Sequence, residues 1–342
     1  MEAPENRMLS DSDSRTLRRL REFVPEKAFD AHAHLYSAEY LPNMAAPGSI
    51  FAECGPLADR EAYLRLQGPL YGGAKQLRLN LVSVPDASMQ DRANGHRARC
   101  NEFLARHLER CPEDVGEAFV LPDDSEGDIE ALLAHPNIRG LKCYHLAARK
   151  QPAWQAEIGE YLPESAWRVA DGRGLAITLH MVKDAALADP GNLETIRKKA
   201  REYPSAKLIL AHAARGFAPW TALDGLKGLP CLPNIYYDVS AVCEPTAIFA
   251  VIKAAGADHV LWGSDFPVSM QRGKCISLGD TFLWLCGPLL EKAGATAAAE
   301  ATLVGVENLN ALAQACDMLG LRRSDIDDIF HNNAMRLFGL SD

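Results

Sequence analysis

The sequence lacks three features, each of which would point to a particular class of protein. No two of its nine cysteines form a Cys-x-x-Cys pair and their number is odd, so we expect no disulfide framework and a reducing, cytoplasmic compartment. No apolar run is long enough to span a membrane. The first 21 residues are polar and charged, so we do not expect a signal peptide there.

Basic charge is also scarce. The 342 residues include 36 Lys and Arg against 45 Asp and Glu, which gives a net charge of −9. This balance argues against a nucleic-acid surface, and no charge run suggests an interaction tail. The hydrophobic share of 48% is typical of globular proteins, and the length allows one large α/β barrel or two ordinary domains. We therefore expect a small-molecule partner.

Apolar segments alternate along the chain with helical or loop segments. Eight of them are predicted strands, and several are apolar on both faces, which is typical of buried parallel strands. The predicted strands cover residues 28–33, 77–84, 116–121, 138–144, 175–179, 207–211, 234–239 and 259–262. This pattern predicts a (β/α)8 TIM barrel followed only by helices, at 280–295, 296–319 and 323–338.

Two segments lie outside this alternation. Residues 1–27 are an N-terminal lead, expected to be disordered over 1–14 and helical over 15–23, and residues 28–342 form one barrel domain. The loop 35–73 is long enough to serve as a lid. Its four tyrosines either line a pocket or pack the loop onto the domain. They are Tyr36, Tyr40, Tyr63 and Tyr71.

Polar residues stand at the ends of the predicted strands, where barrel enzymes have their active sites. His32 and His34 point the same way because side chains alternate along a strand. The fourth, fifth, sixth and eighth strands end at or near Lys142, His180, His212 and Asp265. Histidine nitrogens and carboxylate oxygens are ligands for Zn²⁺ or a similar divalent ion. The sequence therefore predicts a metal site on one rim of the barrel.

Four positions leave alternatives open. His212 is either a ligand or a donor that orients water or a substrate oxygen. Asp265 either caps a turn or is a ligand that also acts as general base. Lys142 is a carbamylated ligand bridging two metals, a cation for a substrate carboxylate, or a lysine paired with a core acid. Asp30 lies beneath the metal or has a structural role.

Arginines are the candidates for binding an acidic substrate. Arg215 follows His212 closely, so it either holds a substrate carboxylate bidentately or lies on the surface at the start of a helix. Arg78, Arg149 and Arg272 are weaker candidates for the same role. His145 is expected to be a surface or structural residue.

Four segments together resemble the amidohydrolase superfamily. They are Phe29-Asp-Ala-His-Ala-His34, His180, Ala211-His212 and Val260-Leu-Trp-Gly-Ser-Asp-Phe-Pro267. The chain is similar to amidohydrolase-related metal-dependent hydrolases, which include lactonases and non-oxidative decarboxylases. The resemblance implies a distorted barrel in which His32, His34, His180 and Asp265 hold one metal ion, and His212 polarises water or substrate. Some members carry a carbamylated lysine in the segment that contains Lys142.

We therefore expect a metal-dependent hydrolase that acts on a small, acidic cyclic ester or amide, as a lactonase does. The expected cofactor is one Zn²⁺, with a second if Lys142 is carbamylated. Asp265, His212 and Lys142 are the catalytic candidates, and Arg215, Tyr36 and Arg149 are the candidates for substrate binding. The alternative is a metal-dependent decarboxylase of an unsaturated or aromatic acid. A third possibility, a metal-binding protein without activity, is disfavoured because every expected ligand position is filled. Tyrosines and tryptophans in the predicted loops permit a homo-oligomer.

Overall fold

The structure is a computed structural model, and it describes residues 9–41, 54–72, 74–294 and 300–341. Its centre is a curled sheet containing eight parallel strands, which confirms the predicted barrel. A short strand, β2, pairs antiparallel with the end of β1. The strands of this sheet are β1 (Lys27–Ser37), β2 (Leu57–Ala58), β3 (Gln76–Ser83), β4 (Val115–Phe119), β5 (Ile138–Tyr144), β6 (Ala176–His180), β7 (Lys207–Leu210), β8 (Ile235–Asp238) and β9 (Val260–Leu261).

Backbone hydrogen bonds between β1 and the segment after β9 close the barrel. The amide of His34 donates to the carbonyl of Phe266 at 2.7 Å, and the amide of Asp265 donates to the carbonyl of His32 at 2.8 Å. The strand β9 has only two residues, so residues past its end make this contact. Closure therefore fixes the backbone of Asp265 beside the two histidines of β1.

Helices cover the outside of the barrel. They are α1 (Asp11–Leu20), α2 (Arg60–Gln67), α3 (His96–Arg110), α4 (Glu126–Leu132), α5 (Glu164–Arg173), α6 (Pro190–Glu202), α7 (Pro219–Gly228), α8 (Pro245–Ala255), α9 (Pro288–Lys292), α10 (Val304–Leu319), α11 (Arg323–Asp327) and α12 (Asn333–Leu337). Local signals set several starts: Ser125 and Asp128 form the predicted capping box of α4, and proline opens α6, α7 and α8. A π-helical turn, Asp328–Asn332, joins α11 to α12.

The strands are buried on both faces. Every residue of β4 and β6 is buried, as the near-continuous apolar runs predict for parallel strands under a layer of helices. Polar side chains on these strands are therefore taken out of water as well. Glu117 and Lys142 are completely buried, and His180 is 8% exposed. Because burying a polar group without a partner is costly, such residues need specific contacts.

The segment after β9 departs from the prediction of helices only. The first part of the helix predicted at 280–295 is instead a strand, β11 (Thr281–Cys286). It pairs with β10 (Gly273–Leu278) to form a hairpin. The run Thr-Phe-Leu-Trp-Leu-Cys is rich in aromatic and β-forming residues, and Gly279 at the turn has φ 58°. The short helix α9 follows. This hairpin lies against the candidate site described below.

The N-terminal helix begins earlier than predicted. It starts at Asp11 rather than at residue 15, because Ser10 and Asp13 form a capping box. The buried Asp13 carboxylate also accepts from the amide of Leu303 at 2.8 Å and from Arg272 at 2.9 Å, which ties α1 to the C-terminal part of the fold. Residues 1–8, predicted to be disordered, lie outside the described residues, as do residues 42–53 of the long loop. Among the helices of the described part, none has the length and apolar character needed to cross a membrane.

Candidate metal centre

Three buried side chains with metal-binding atoms converge where β1 meets the segment after β9. Oδ1 of Asp265 lies 3.2 Å from Nε2 of His34 and 3.7 Å from Nε2 of His32. Ligand atoms of the three residues all lie within 4.8 Å of one another. The two histidines share a face of β1, as the alternation predicts. This group has the donor atoms and the spacing to hold one divalent ion.

Lys142 lies directly beside this group. Its Nζ is 3.0 Å from Nε2 of His32, the ring atom that faces Asp265. Burial lowers the pKa of Lys142, although Glu117 and Asp238 oppose the shift. The pKa of His32 is lowered to about 4 by burial and by Lys142, so its ring is neutral at pH 7. Within the described part of the chain, Lys142 forms no ion pair with a core acid.

His180 and His212 form a second pair beside the first group. Nδ1 of His180 lies 3.1 Å from Nε2 of His212, and the His212 ring stacks on His32 with centroids 5.1 Å apart. Burial and His212 hold the pKa of His180 well below its ordinary value. The structure thus places His180 in the cluster, but next to His212 and outside the group of His32, His34 and Asp265.

His212 and Arg215 are carried by one left-handed turn, Ala211–Arg215. The φ angles of residues 212–215 are 59°, 51°, 57° and 60°. This conformation costs roughly 1–2 kcal/mol for each residue that has a side chain, so surrounding contacts must hold it. The amide of Gly216 donates to the His212 carbonyl at 2.8 Å, and the His212 amide donates to Oδ1 of Asp238 at 3.1 Å. The turn brings Nη1 of Arg215 to 3.4 Å from Nε2 of His180.

Arg215 places a cation beside His180. It is partly buried, and its guanidinium lies over the ring of Phe282 at 5.5 Å from the centroid. Among the residues that the structure describes, no carboxylate forms an ion pair with it. Burial lowers the pKa of Arg215, but an arginine stays protonated at neutral pH. Arg215 therefore presents a positive charge to the cluster, although the charge of Asp184 acts on it.

Aromatic rings form one wall beside Arg215. Phe217 stacks on His212 with centroids 5.3 Å apart, and contacts Phe282 and Trp284 of the hairpin at 5.1 and 5.4 Å. The hairpin is held in place by Ser277, whose amide and hydroxyl both donate to Glu244. The element that was predicted as a helix thus supplies the apolar wall of the site.

Asp265 is an ionised carboxylate in this setting. Burial alone would raise its pKa, but His212, His34 and His32 lower it to about 2. An ionised carboxylate is the form that would bind a metal ion. Asp265 has φ 58°, so its backbone is also in the left-handed region. The turn-cap alternative does not account for its contacts with two histidine rings.

Asp30 supports the backbone of β1 rather than a histidine ring. Its Oδ1 accepts from the amides of His32 at 3.0 Å and Ser264 at 2.9 Å. Its Oδ2 accepts from the hydroxyls of Tyr63 at 2.7 Å and Tyr71 at 3.1 Å. These contacts favour the structural role for Asp30. They also favour the packing role for the two tyrosines, which hold the first loop onto the barrel.

Two predicted substrate-binding residues lie away from the cluster contacts. Tyr36 is 1% exposed, and its hydroxyl donates to the Gly55 carbonyl at 3.0 Å, so it packs the loop. Arg149 is exposed, and its charge acts on Asp123. Arg272, a weaker candidate, pairs with Asp13 as described above. The structure brings Arg215 alone of these to the histidines.

Sequence reasoning missed two participants in the cluster. His145, expected on the surface or in a structural role, stacks on His180 with centroids 5.5 Å apart and on Tyr144 at 4.6 Å. Burial and Arg215 lower its pKa to about 4. Asp238, the last residue of β8, contacts Nδ1 of His32 at 3.1 Å. The rule that found His180, a polar residue ending a strand, would also have found Asp238.

The residues present fit a divalent metal ion. His32, His34 and Asp265 offer two imidazoles and a carboxylate in a buried setting, the donor set that Zn²⁺ and Mn²⁺ accept. Two further groups have suitable atoms: His32, His212 and Asp238, which shares His32 with the first group, and His107, Cys111 and Asp114, which lies elsewhere. Arg60 forms an ion pair with Asp114 there, so that carboxylate already has a cation.

A family model described as amidohydrolase matches residues 29–340, which is nearly the whole chain. The chain belongs to the amidohydrolase family. It is therefore a metal-dependent enzyme of that superfamily, as the resemblance predicted. An L-fucono-1,5-lactonase from Burkholderia ambifaria is 26% identical over 192 residues, which cover 50% of this chain and 59% of the lactonase. The chain thus spans less than two thirds of that relative's length.

The solved structures that share the fold include two decarboxylases. The 5-carboxyvanillate decarboxylase from Sphingomonas paucimobilis superposes with a TM-score of 0.57 at 15% identity, covering 93% of this chain and 100% of the decarboxylase. A dihydroxybenzoic acid decarboxylase from Polaromonas sp., crystallised with manganese, gives a TM-score of 0.54 at 17% identity, covering 92% and 97% of the two chains. At these identities the likeness establishes the barrel, and the amidohydrolase's own reaction has to be argued from its site.

Proposed function

We propose that this amidohydrolase hydrolyses a small cyclic ester that carries a carboxylate. The observation that carries the proposal is the position of Arg215, whose guanidinium lies 3.4 Å from the His180 ring and forms no ion pair with a carboxylate of the described residues. A guanidinium recognises a carboxylate bidentately, and such a contact to a charged group contributes about 1.5–3 kcal/mol. The substrate is therefore an acid whose reacting group lies beside the histidine cluster.

The residues divide the work of hydrolysis among themselves. His32, His34 and Asp265 hold the divalent ion, which when bound supplies a Lewis acid and lowers the pKa of water from about 15.7 to about 7. Asp265 accepts the proton from the attacking water and returns it to the leaving alkoxide. The Nδ1 proton of His212 is directed at the Ser240 carbonyl, so its Nε2 is an acceptor, which orients the attacking water. Arg215 holds the substrate carboxylate, and the wall of Phe217, Phe282 and Trp284 covers the ring and excludes water.

Decarboxylation of an unsaturated or aromatic acid is the second candidate. The aromatic wall favours a planar substrate, and Arg215 is close enough to His180 to hold a carboxylate at the cluster itself. The two solved structures above are of decarboxylases. In this reaction Asp265 would take a proton from a water molecule or a substrate hydroxyl and pass it to the ring carbon, which keeps the electron pair of the broken C–C bond as the carboxylate leaves as CO₂. The same residues serve both reactions, so the products decide between them.

The identity and number of metal ions are part of the proposal. Zinc suits two histidines and a carboxylate, whereas one structural relative contains manganese. We propose one ion at His32, His34 and Asp265. A second ion would need Lys142 as a carbamate, close to His180 and His212.

Two measurements on one set of substrates test the proposal: incorporation of ¹⁸O from labelled water and release of CO₂. The enzyme is loaded with Zn²⁺ or Mn²⁺ and incubated with carboxylate-bearing lactones and with hydroxybenzoic acids in ¹⁸O-labelled water. Hydrolysis predicts ring-opened product with one ¹⁸O and no released CO₂. Release of CO₂ from an aromatic acid, without turnover of any lactone, would replace hydrolysis by decarboxylation. Asp265→Asn should lower turnover by about 10²–10⁴-fold in either case.

A further inference from the structure

Asp238 connects two parts of the site that lie on different elements. Its Oδ2 lies 3.1 Å from Nδ1 of His32, a residue of β1. Its Oδ1 accepts from the amide of His212 at 3.1 Å and from the amide of Ser240 at 3.1 Å. The Ser240 hydroxyl donates to the same oxygen. One completely buried carboxylate thus contacts a metal-binding ring and the turn that carries the second pair of histidines.

The contact with His32 decides which ring nitrogen carries the proton. A carboxylate only accepts hydrogen bonds, so Nδ1 of His32 must be the donor, and Nε2 keeps its lone pair. Nε2 is the atom that faces Asp265 and Lys142. Ligating histidines are commonly oriented in this way by a carboxylate on the other nitrogen.

The contact with His212 holds a strained backbone. The left-handed turn Ala211–Arg215 has few backbone partners of its own, and the His212 amide is directed at Oδ1 of Asp238. Nδ1 of His212 lies 3.0 Å from the carbonyl oxygen of Ser240. That histidine is therefore protonated on Nδ1 and presents Nε2 to His180. The position of Arg215 depends on the same turn.

We propose that Asp238 is the positioning residue of this site: it sets the tautomer of His32 for metal binding and at the same time holds the left-handed turn that places His212 and Arg215. The two roles use different oxygens of the carboxylate. They can therefore be separated by substitution. The inference requires a metal at His32 but no particular reaction, so it does not depend on hydrolysis being correct.

Asp238→Asn tests the first role without changing the shape of the side chain. Three donors surround Oδ1, so the amide oxygen of asparagine takes that place and its NH₂ faces Nδ1 of His32. The ring must then accept at Nδ1 and carry its proton on Nε2. We expect affinity for Mn²⁺ or Zn²⁺, measured by chelator competition, to fall about 10–100-fold. In the metal-free ¹⁵N-histidine-labelled protein, NMR should show His32 changing from the Nδ1–H to the Nε2–H tautomer, with the melting temperature close to that of wild type.

Ser240→Ala is the matched control. The Ser240 hydroxyl lies 3.2 Å from Nδ1 of His32 and 3.0 Å from Nδ1 of His212, so it touches the same atom of His32 as Asp238 does without being a carboxylate. We expect it to keep the Nδ1–H tautomer and to bind metal nearly as tightly as wild type. A fall in affinity as large as that of Asp238→Asn would assign the role to the hydroxyl and overturn the proposal.

Asp238→Ala tests the second role. The variant loses Oδ1 as well, so hydrogen exchange at the amide of His212 should become faster, whereas Asp238→Asn should leave that amide protected. The proposal is wrong if Asp238→Asn keeps the Nδ1–H tautomer and wild-type metal affinity. The second role is wrong if the His212 amide is equally protected in both variants. If Asp238→Ala does not fold, Asp238→Asn and Ser240→Ala still decide the first role.

Discussion

The ammonium nitrogen of Lys142 and the Nε2 atom of His32 lie 3.0 Å apart in the barrel interior. Nε2 is the ligand atom that His32 offers to a metal, so the lysine and the ion compete for one lone pair. A protonated lysine at this distance also repels a divalent cation. Burial already lowers the pKa of Lys142, and a bound cation would lower it further.

Replacing Lys142 with methionine tests which form the lysine takes. Because the substitution removes a cation beside the ligand atom, we expect the first equivalent of Mn²⁺ or Zn²⁺ to bind at least as tightly as in wild type. Isothermal titration with each metal measures this. A loss of bound metal in Lys142→Met, together with an added mass of one CO₂ on wild-type Lys142, would show instead that the lysine is a carbamate ligand.

Arg215 should control the affinity for substrate more than the rate of the chemical step. Arg215→Lys keeps the charge but loses the planar pair of donors, so we expect KM to rise about 10–100-fold with a smaller change in kcat. Arg149→Ala is the matched control, because Arg149 is an exposed arginine away from the cluster, and its kinetics should equal those of wild type. A normal KM in Arg215→Lys would mean that the carboxylate is held elsewhere.

The hairpin should select for planar substrates. Trp284→Ala removes a ring that packs on Phe217, and loss of an aromatic contact of this kind weakens binding by about 0.5–1.5 kcal/mol beyond the lost area. We expect weaker binding of aromatic carboxylates, measured as the inhibition constant of benzoate. Leu278, 61% exposed at the tip of the same hairpin, provides the control substitution Leu278→Ala. Equal effects of the two changes would show that the aromatic wall does not bind the substrate.

The buried Glu117 should make the free energy of unfolding of the metal-free protein depend on pH. Burial raises its pKa from 4.5 to about 7, although Asn80 and Thr178 donate to it. Below pH 4.5 the group is protonated in both folded and unfolded states. As the pH rises to 7, only the unfolded state ionises, so the group's contribution to the free energy of unfolding falls by about 3 kcal/mol. Above pH 7 the contribution stays constant.

Urea unfolding of wild type and Glu117→Gln across pH 4.5–8 checks this. The glutamine keeps an acceptor for Asn80 and Thr178 and cannot ionise, so wild type should lose stability relative to the variant between pH 4.5 and 7. A difference that stays constant over that range would show that Glu117 has an ordinary pKa.

Much of the fold and the site could be predicted because both depend on repeated local signals. Apolar runs bounded by glycine and proline located all eight barrel strands, and the two-residue spacing of His32 and His34 placed them on one face. His180, His212 and Asp265 were found because parallel strands bring their carboxyl ends to one rim. The strand β11 was mistaken for the start of a helix because its hairpin with β10 contains no strong turn dipeptide beyond Gly279-Asp280 and follows eight regular β/α units.

The remaining parts of the site depend on three-dimensional contacts that no local pattern encodes. The left-handed turn Ala211–Arg215 contains no glycine, and it exists because Asp238 and the barrel hold it. Asp238 is the exception: it ends a strand as His180 does, so the same rule would have found it, although an aspartate at that place also serves as a turn residue. The interior place of Lys142 could be predicted, but its contact with His32 across the barrel could not.

Anomalous diffraction from crystals soaked in Mn²⁺ tests the central claim most directly. The account predicts one strong peak within bonding distance of Nε2 of His32, Nε2 of His34 and a carboxylate oxygen of Asp265. It also predicts that the peak disappears in His34→Ala. A peak at His107, Cys111 and Asp114 with none at the histidines of β1, or an unchanged peak in His34→Ala, would contradict the proposed metal centre.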